Sequence, residues 1–258
     1  MQGSKVTRRQ WGDGKRLAVV MSPVMPLWDE GQFFQPLIEP LTRAGYRVIV
    51  FDTLSLPGDD AESLETFSRR WQQELLTLGR IDLLAGSALG GAVVQSLLGL
   101  PIGASVDKVL LISSPALADG ILDGRLGRMA DLALLGDVEQ ALQLLDQWVQ
   151  PATRIHPAGP IAIDPASAAL QAQRLHRGFR LLNRLDLRRA CEDFAGPLLT
   201  VYGEQSQLVR GINVHVNEQA RQHRLSVPDG GMRPLLDAPG LVLRTVRERL
   251  GIDLEVAA

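Results

Sequence analysis

A glycine-rich turn over residues 86–91 is the part of this sequence whose spacing points most directly to chemistry. It follows the apolar run at 81–85 and precedes a helical pattern, so a strand, a tight turn and a helix are expected in succession. In a turn of this kind the central residue is strained and presents its side chain outward, and residues two before and two after it must be small. Gly86 and Gly90 satisfy that condition, which places Ala88 at the centre.

The neighbouring register and the phosphate-loop interpretations fit this turn poorly. A turn centred on Ser87 would be flanked by Ala85 and Leu89, and leucine is too bulky for that position. A Walker loop needs a Lys-Ser or Lys-Thr pair after its last glycine, whereas Ala92 and Val93 follow here. A dinucleotide fingerprint belongs on the first βα unit, and this turn follows the third strand of the run. The turn therefore indicates a nucleophile elbow that carries a methyl group.

The rest of the chain alternates short apolar runs with longer amphipathic stretches, which predicts an α/β fold with a mostly parallel central sheet flanked by helices. Strands are expected at 17–21, 46–51, 81–85, 106–112, 197–202 and 224–227. Helices are expected at 30–44, 65–78, after the turn to about 100, and at 240–250. Lys5 to Gln10 and the turn at 12–14 are expected to form a leading hairpin.

Residues 116–195 break this rhythm, with helical patterns at 122–135, 137–149 and 165–185 and no convincing strand. They predict a helical cap or lid inserted into a core made of residues 1–115 and 196–258. A mobile lid over a site and a simple packing layer both remain open. A set of arginines is spaced along the last of these helices and just beyond it, and it is expected to be a solvated face rather than an anion site: Arg174, Arg177, Arg180, Arg184, Arg188 and Arg189.

Several motifs in order resemble the α/β-hydrolase superfamily. Arg16–Ser114 and Ala195–Leu250 look like the two halves of that fold, with the helical segment where the superfamily inserts its cap. The landmarks are the elbow, the strand ending in Phe51-Asp52, the pair Gly203-Glu204 and the run Val227–Gly231. The resemblance implies an α/β-hydrolase fold over most of the chain.

The resemblance also assigns the positions of a catalytic triad, which needs a nucleophile, a histidine base and an acid. These positions hold Ala88, Met232 and Ser206, a methyl group, a thioether and a hydroxyl. Asp119, after the fourth strand, is an alternative acid. The loop that would supply an oxyanion hole contains Pro23, which lacks a backbone N–H. The resemblance thus implies a degenerate member without a Ser-His-Asp triad and without a catalytic residue at these positions.

The first functional hypothesis is a non-hydrolytic pseudoenzyme that binds an apolar or acyl-like small molecule, or a partner protein, as an accessory factor. By analogy with the superfamily, its pocket would be lined by Ser22, Met25, Trp28, Ser87, Ala88, Leu89, Ser113, Pro115 and Met232.

Two other classes remain open. One is an active enzyme of the same fold, an esterase, thioesterase, lyase or cyclase, with an engineered Ser→Ala change at Ala88 or with other residues in the catalytic roles. Such a change would leave Met232 unexplained. The other is a structural protein whose cleft is filled. Candidate residues for the enzyme are Ser87, Ser113, Ser114, Asp119, His215 and Arg233.

Composition limits the partners. The net charge is -2, with 45% hydrophobic and 22% charged residues, so electrostatics favour neither nucleic acid nor an anionic membrane. The one cysteine, Cys191, and four histidines without zinc-ligand spacing predict no metal site, and no cofactor is expected. The basic N-terminus lacks the apolar core of a signal peptide, and no apolar stretch is long enough to span a bilayer. A cytoplasmic protein is expected.

Overall fold

The computed structural model describes residues 6–59, 61–154, 156, 159–218 and 221–254. Within these residues a seven-stranded sheet runs in the order β1-β3-β2-β4-β5-β6-β7. The strands are β1 Arg8–Trp11, β2 Arg16–Met21, β3 Tyr46–Phe51, β4 Leu83–Ser87, β5 Val109–Ile112, β6 Leu198–Gly203 and β7 Gln222–Val227.

All neighbouring pairs from β3 to β7 are parallel, as the alternating pattern predicts. The predicted leading hairpin is wrong, because β1 pairs antiparallel with β3, from Arg8 opposite Phe51 to Trp11 opposite Val48. Both edges of β2 are already occupied by β3 and β4, so β1 cannot pair with β2 and pairs instead with the outer edge of β3. Lys5 lies outside the described residues.

Helices cover both faces of the sheet. Alternate side chains of each strand point to opposite faces, so that Leu17, Val19 and Met21 belong to one buried cluster and Ala18 and Val20 to the other. The helices are α1 Gln35–Arg43, α2 Leu64–Leu76, α3 Leu89–Leu98, α4 Gly120–Leu134, α5 Val138–Val149, α6 Pro165–Arg180, α7 Arg188–Glu192, α8 Pro234–Asp237 and α9 Pro239–Leu250.

The helical segment, α4 to α7, connects β5 to β6. Its described residues form no strand, and their only β pairing is an isolated bridge between Leu117 and Asp186. Helix α4 packs along α6 and α5. None of the helices seen in the described residues combines the length and the apolarity needed to cross a bilayer.

The expected solvated face of arginines is wrong at two positions on α6. The two terminal guanidinium nitrogens of Arg174, Nη1 and Nη2, donate to the Asp52 carboxylate at 2.9 and 2.8 Å, and these side chains are 11% and 6% exposed. Arg177 donates to the carbonyl of Leu56 at 2.9 Å and to the buried carboxylate of Glu62 at 3.3 Å. Helical spacing placed these arginines on one face, but that face meets two core carboxylates instead of solvent.

Helix α6 is also fixed to the loop that follows β2. The Nε of Arg174 donates to the carbonyl of Met25 at 2.9 Å. A Cβ on Gly178 would lie 2.7 Å from a methyl group of Val24, so only glycine allows the helix to approach this closely. Buried ion pairs and close packing therefore hold the helical segment against the core in this structure.

We expect Asp52→Asn to lower the free energy of unfolding by about 3 to 5 kcal/mol, because it leaves Arg174 buried without a counter-charge. Asparagine keeps the oxygen that accepts from the N–H of Leu54, so the change isolates the charge. Denaturation in urea measures the effect. The matched control is Asp186→Asn, whose pair with Arg188 is about half exposed on both sides. It should cost less than about 1 kcal/mol. Equal losses in the two variants would contradict a role for the buried pair.

Candidate functional site

The backbone of the turn after β4 is that of a nucleophile elbow centred on Ala88. Ala88 has φ 46° and ψ −113°, a conformation that residues with a side chain rarely adopt. A Cβ on Gly86 would lie 2.6 Å from the backbone of Gly90, and a Cβ on Gly90 would lie 2.1 Å from the carbonyl oxygen of Met21. Both flanks must therefore be glycine. Ser87 is the last residue of β4 and is not at the centre.

The elbow joins β4 directly to α3. The N–H of Ala88 donates to the carbonyl of Ile112 at 3.1 Å, which ties the turn to the end of β5. Its carbonyl accepts from the N–H of Ala92 at 2.9 Å as the helix begins. No side chain caps the start of α3. The turn thus presents a methyl group beside the N-terminal end of a helix.

Ala88 borders a cavity of about 180 Å³ between the sheet edge and the helical segment. Side chains from four regions of the chain enclose it, and nearly all of them are apolar. The core supplies Pro23, Val24, Met25, Pro26, Phe33, Ser87, Ala88 and Pro115, the helical segment supplies Leu122, Leu126, Leu145, Val149, Phe179 and Leu182, and the loops after β6 and β7 supply Leu208, Val209, Met232 and Arg233.

Met232 lies in the wall of the same cavity as Ala88. It is 7% exposed, and its sulfur accepts a hydrogen bond from the N–H of Val209 at 3.3 Å. Its own N–H donates to the carbonyl of Val149 at 3.0 Å. The thioether therefore packs between the end of α5 and the loop after β6, where it provides an apolar, deformable surface.

The two residues considered for the acid position do not meet a histidine. Ser206 is buried, and its hydroxyl has no hydrogen-bond partner within the described part of the chain. The Asp119 carboxylate accepts from the N–H of Leu122 at 2.9 Å and pairs with Arg210, so it caps α4. Burial acts to raise the pKa of Asp119, but these hydrogen bonds and one from Asn213 outweigh it and lower that pKa.

The four histidines all belong to the described residues, and none of them lines the cavity. His215 contacts the Glu192 carboxylate at 3.0 Å, and His176 contacts the carbonyl of Ala130 at 3.0 Å. His223 lies on β7, and the backbone N–H of His156 donates to the side-chain oxygen of Gln150 at the C-terminal end of α5. The cavity around Ala88 therefore contains no imidazole.

Five of the nine residues predicted for the pocket line the cavity, and four do not. Met25, Ser87, Ala88, Pro115 and Met232 come together in its wall. Ser22, Leu89 and Ser113 are fully buried beside the strand ends and outside the described wall, and Trp28 is absent from that wall as well. Strand-end position alone does not tell whether a side chain points into the cavity or back into the core.

The hydroxyls near the elbow differ in their surroundings. Ser114 donates within the core to the carbonyls of Gly86 and Ile112, at 3.3 and 3.1 Å. Ser22 and Ser113 are fully buried, and their hydroxyl groups have no hydrogen-bond partner among the described residues. Ser87 is the only hydroxyl-bearing residue in the described wall of the cavity.

Sequence reasoning missed the roof of the cavity. Leu122 and Leu126 of α4, Leu145 and Val149 of α5, and Phe179 of α6 all line it. Their helical spacing does signal apolar faces. The missing information was which part of the core those faces cover, and this depends on how the helices pack.

No group of three potential metal ligands among histidine, cysteine, aspartate and glutamate occurs in the part of the chain that the structure covers. Cys191 is buried, and its thiol contacts the side-chain oxygen of Gln95 at 3.3 Å. Burial, with a contribution from Glu192, raises the pKa of this thiol to about 12. The thiol is therefore neutral at ordinary pH and serves in packing.

Comparisons with solved structures establish the fold. The chain is similar to MGS-M2, an α/β-hydrolase enzyme from a Medee basin deep-sea metagenome library, with a TM-score of 0.77 and 11% identity over 100% of this chain and 98% of that one. It is similar to a bromoperoxidase from Bacillus anthracis, with a TM-score of 0.73 and 16% identity over 95% and 94%.

An esterase from Exiguobacterium antarcticum is similar as well, with a TM-score of 0.71 and 16% identity over 96% of both chains. No protein-family model and no curated protein sequence matches this chain. The chain thus has the α/β-hydrolase fold, with a mostly parallel seven-stranded sheet flanked by helices, and at these identities the likeness concerns the fold alone.

We expect Gly90→Ala to lower the free energy of unfolding by about 3 kcal/mol or more, because its methyl group would overlap the carbonyl of Met21. Gly124→Ala is the matched control, since a methyl group there meets nothing within 4 Å on α4. The control should stabilise the protein by up to about 1 kcal/mol. Chemical denaturation of both variants checks the difference, and a well-tolerated Gly90→Ala would argue against this tight turn.

We expect Ala88→Gly to leave the free energy of unfolding unchanged or higher. The positive φ of Ala88 costs about 1 to 3 kcal/mol, which glycine would relieve. The same exchange in an ordinary helix costs about 1 kcal/mol, and Ala169→Gly at an exposed position of α6 provides that reference. Thermal and urea unfolding compare the two. A larger loss at position 88 than at position 169 would contradict the strained geometry.

Proposed function

We propose that this chain is a non-hydrolytic α/β-hydrolase-fold protein that binds a small apolar or acyl-like molecule in the cavity beside Ala88. The observation that carries the proposal is the composition of the cavity wall. Of its described lining residues, only Ser87 and Arg233 have polar side chains. A concave, largely apolar pocket with few polar groups is the usual form of a small-molecule site.

The size of the cavity supports a small ligand. A cavity of about 150 Å³ lined by apolar side chains stays dry and accepts a benzene ring. The cavity here has about 180 Å³, so a single ring or a short acyl chain matches its enclosed part. Met25 and Met232 both contribute to the wall, and their flexible side chains allow the surface to adapt to the ligand.

The residues at the elbow support binding without hydrolysis. Acyl transfer needs a nucleophile and a base in contact with it. The methyl group of Ala88 offers neither a lone pair nor a proton, and the thioether of Met232 is not a base near neutral pH. In this proposal these two positions contribute apolar contact area, and the protein acts as an accessory factor that carries or presents its ligand.

The alternative is an active enzyme of the same fold that uses other residues, or one in which Ala88 replaces a natural serine. Similar solved structures are described as a hydrolase, a bromoperoxidase and an esterase, and this favours the alternative. Ser87 would then be the candidate nucleophile, because it is the one hydroxyl-bearing residue in the described cavity wall. The described wall contains no histidine that could act as the base for Ser87, and this weighs against the alternative.

We expect neutral probes, phenylacetamide and hexanamide, to raise the unfolding temperature of the protein, because a ligand that binds only the folded state stabilises it. At a concentration of about 100 Kd the gain is about 2.7 kcal/mol. Leu126→Trp, which fills the roof, should abolish the shift. Leu134→Trp is the matched control, since Leu134 lies on the same helix but is 63% exposed and outside the wall.

Differential scanning calorimetry and circular dichroism first establish that each variant folds, and Val209→Phe serves as a second filling variant if Leu126→Trp does not. Binding by the unchanged protein and by Leu134→Trp, but not by a filled variant, supports the proposal. An unchanged unfolding temperature with both probes, or a shift that persists when the cavity is filled, would contradict it.

We expect the unchanged protein to hydrolyse p-nitrophenyl acetate no faster than a heat-denatured control. The double variant Ala88→Ser/Met232→His should gain turnover over either single variant, because both positions line one cavity and the pair restores a nucleophile and a base. Absorbance of released p-nitrophenolate is the readout. Turnover by the unchanged protein that disappears in Ser87→Ala would favour the enzyme and overturn the non-hydrolytic proposal.

A further inference from the structure

Arg233 is the single charged residue in the described wall of the apolar cavity. Its side chain is exposed, and no carboxylate of the described residues lies within ion-pairing distance of its guanidinium group. Asp237, one turn further along, directs its carboxylate to the N–H of Gly231 at 2.8 Å. The positive charge of Arg233 is therefore available at the rim of a pocket that is otherwise apolar.

The backbone of Arg233 is held in place although its side chain reaches solvent. The preceding N–H, that of Met232, donates to the end of α5 at 3.0 Å. The carbonyl of Arg233 accepts from the N–H groups of Leu236 and Asp237, both at 2.8 Å, at the start of α8. Proline follows at position 234 and restricts the chain further. The cation thus has a fixed point of attachment at the cavity.

We propose that Arg233 recognises the carboxylate of an amphipathic ligand whose apolar part occupies the cavity, so that the ligand class is a small aromatic or short-chain carboxylic acid. This inference rests on the proposed function and deepens it. A guanidinium group matches a carboxylate in geometry and can donate two parallel hydrogen bonds to it. One cation in the wall balances one negative charge, and the apolar remainder rejects a second charged group.

The division of the site into an apolar interior and a cationic rim specifies the orientation of the ligand. The ring or chain lies beneath Leu126 and Phe179, against the methyl group of Ala88, and the carboxylate stays at the solvent edge. A charge at the rim keeps part of its hydration, so binding does not require burial of an ion. Ligands of the same shape with a neutral or positive head should therefore bind less tightly.

The test is a comparison of dissociation constants by isothermal titration calorimetry for phenylacetate, phenylacetamide and phenethylammonium. We expect the carboxylate to bind about threefold to tenfold more tightly than the amide at low salt, and the ammonium compound more weakly than the amide. The preference for the carboxylate should shrink as salt is added. Arg233→Gln should remove the preference, because it weakens carboxylate binding more than amide binding. Arg247→Gln, at an exposed arginine of α9 away from the cavity, should retain it.

The outcomes separate this inference from the function on which it rests. Equal binding of the carboxylate and the amide, or a preference that survives in Arg233→Gln, overturns the role of Arg233 while amide binding still supports an apolar pocket. An equal loss in Arg247→Gln also overturns it, since a general charge effect would then explain the preference. Failure of all three probes to bind contradicts both the inference and the proposed function.

Discussion

The close approach of the elbow to the end of β2 is the constraint on which the site depends. The backbone at Gly90 lies so near the carbonyl of Met21 that no side chain fits between them, and Gly86 is equally confined by the start of α3. Because both flanks are fixed, Ala88 adopts its strained conformation and its methyl group is directed into the cavity. The backbone geometry at position 88 is therefore fixed, and the chemistry of the site depends on which side chain that position carries.

The roof of the cavity depends on a different kind of interaction. Apolar packing of α4, α5 and α6 closes the space above the elbow, and Arg174 and Arg177 attach α6 to two buried carboxylates of the core. Buried ion pairs add little net stability, but a missing partner is costly, so they favour one placement of the helices over others.

The fold of this chain is similar to that of known structures, whereas the chemistry of its site depends on this chain's own side chains. The overall fold is similar to that of solved structures described as a hydrolase, a bromoperoxidase and an esterase, at identities of 11% to 16%. A shared fold positions side chains but does not specify their chemistry. In this chain the elbow, the loop after β7 and the helical segment line an apolar cavity with one charged residue, Arg233, in its described wall. The proposed acid ligand rests on that lining.

The sequence by itself determined the order of strands and helices, the register of the elbow and the parallel core of the sheet, because each of these depends on local periodicity or on steric demands within a few residues. It could not decide that β1 pairs with β3, since that choice depends on which strand edge is left free. Nor could it show that Arg174 meets Asp52, or that Ser22 and Ser113 are buried while Ser87 reaches the cavity. Those outcomes belong to the tertiary structure, because they depend on which faces of distant elements come into contact.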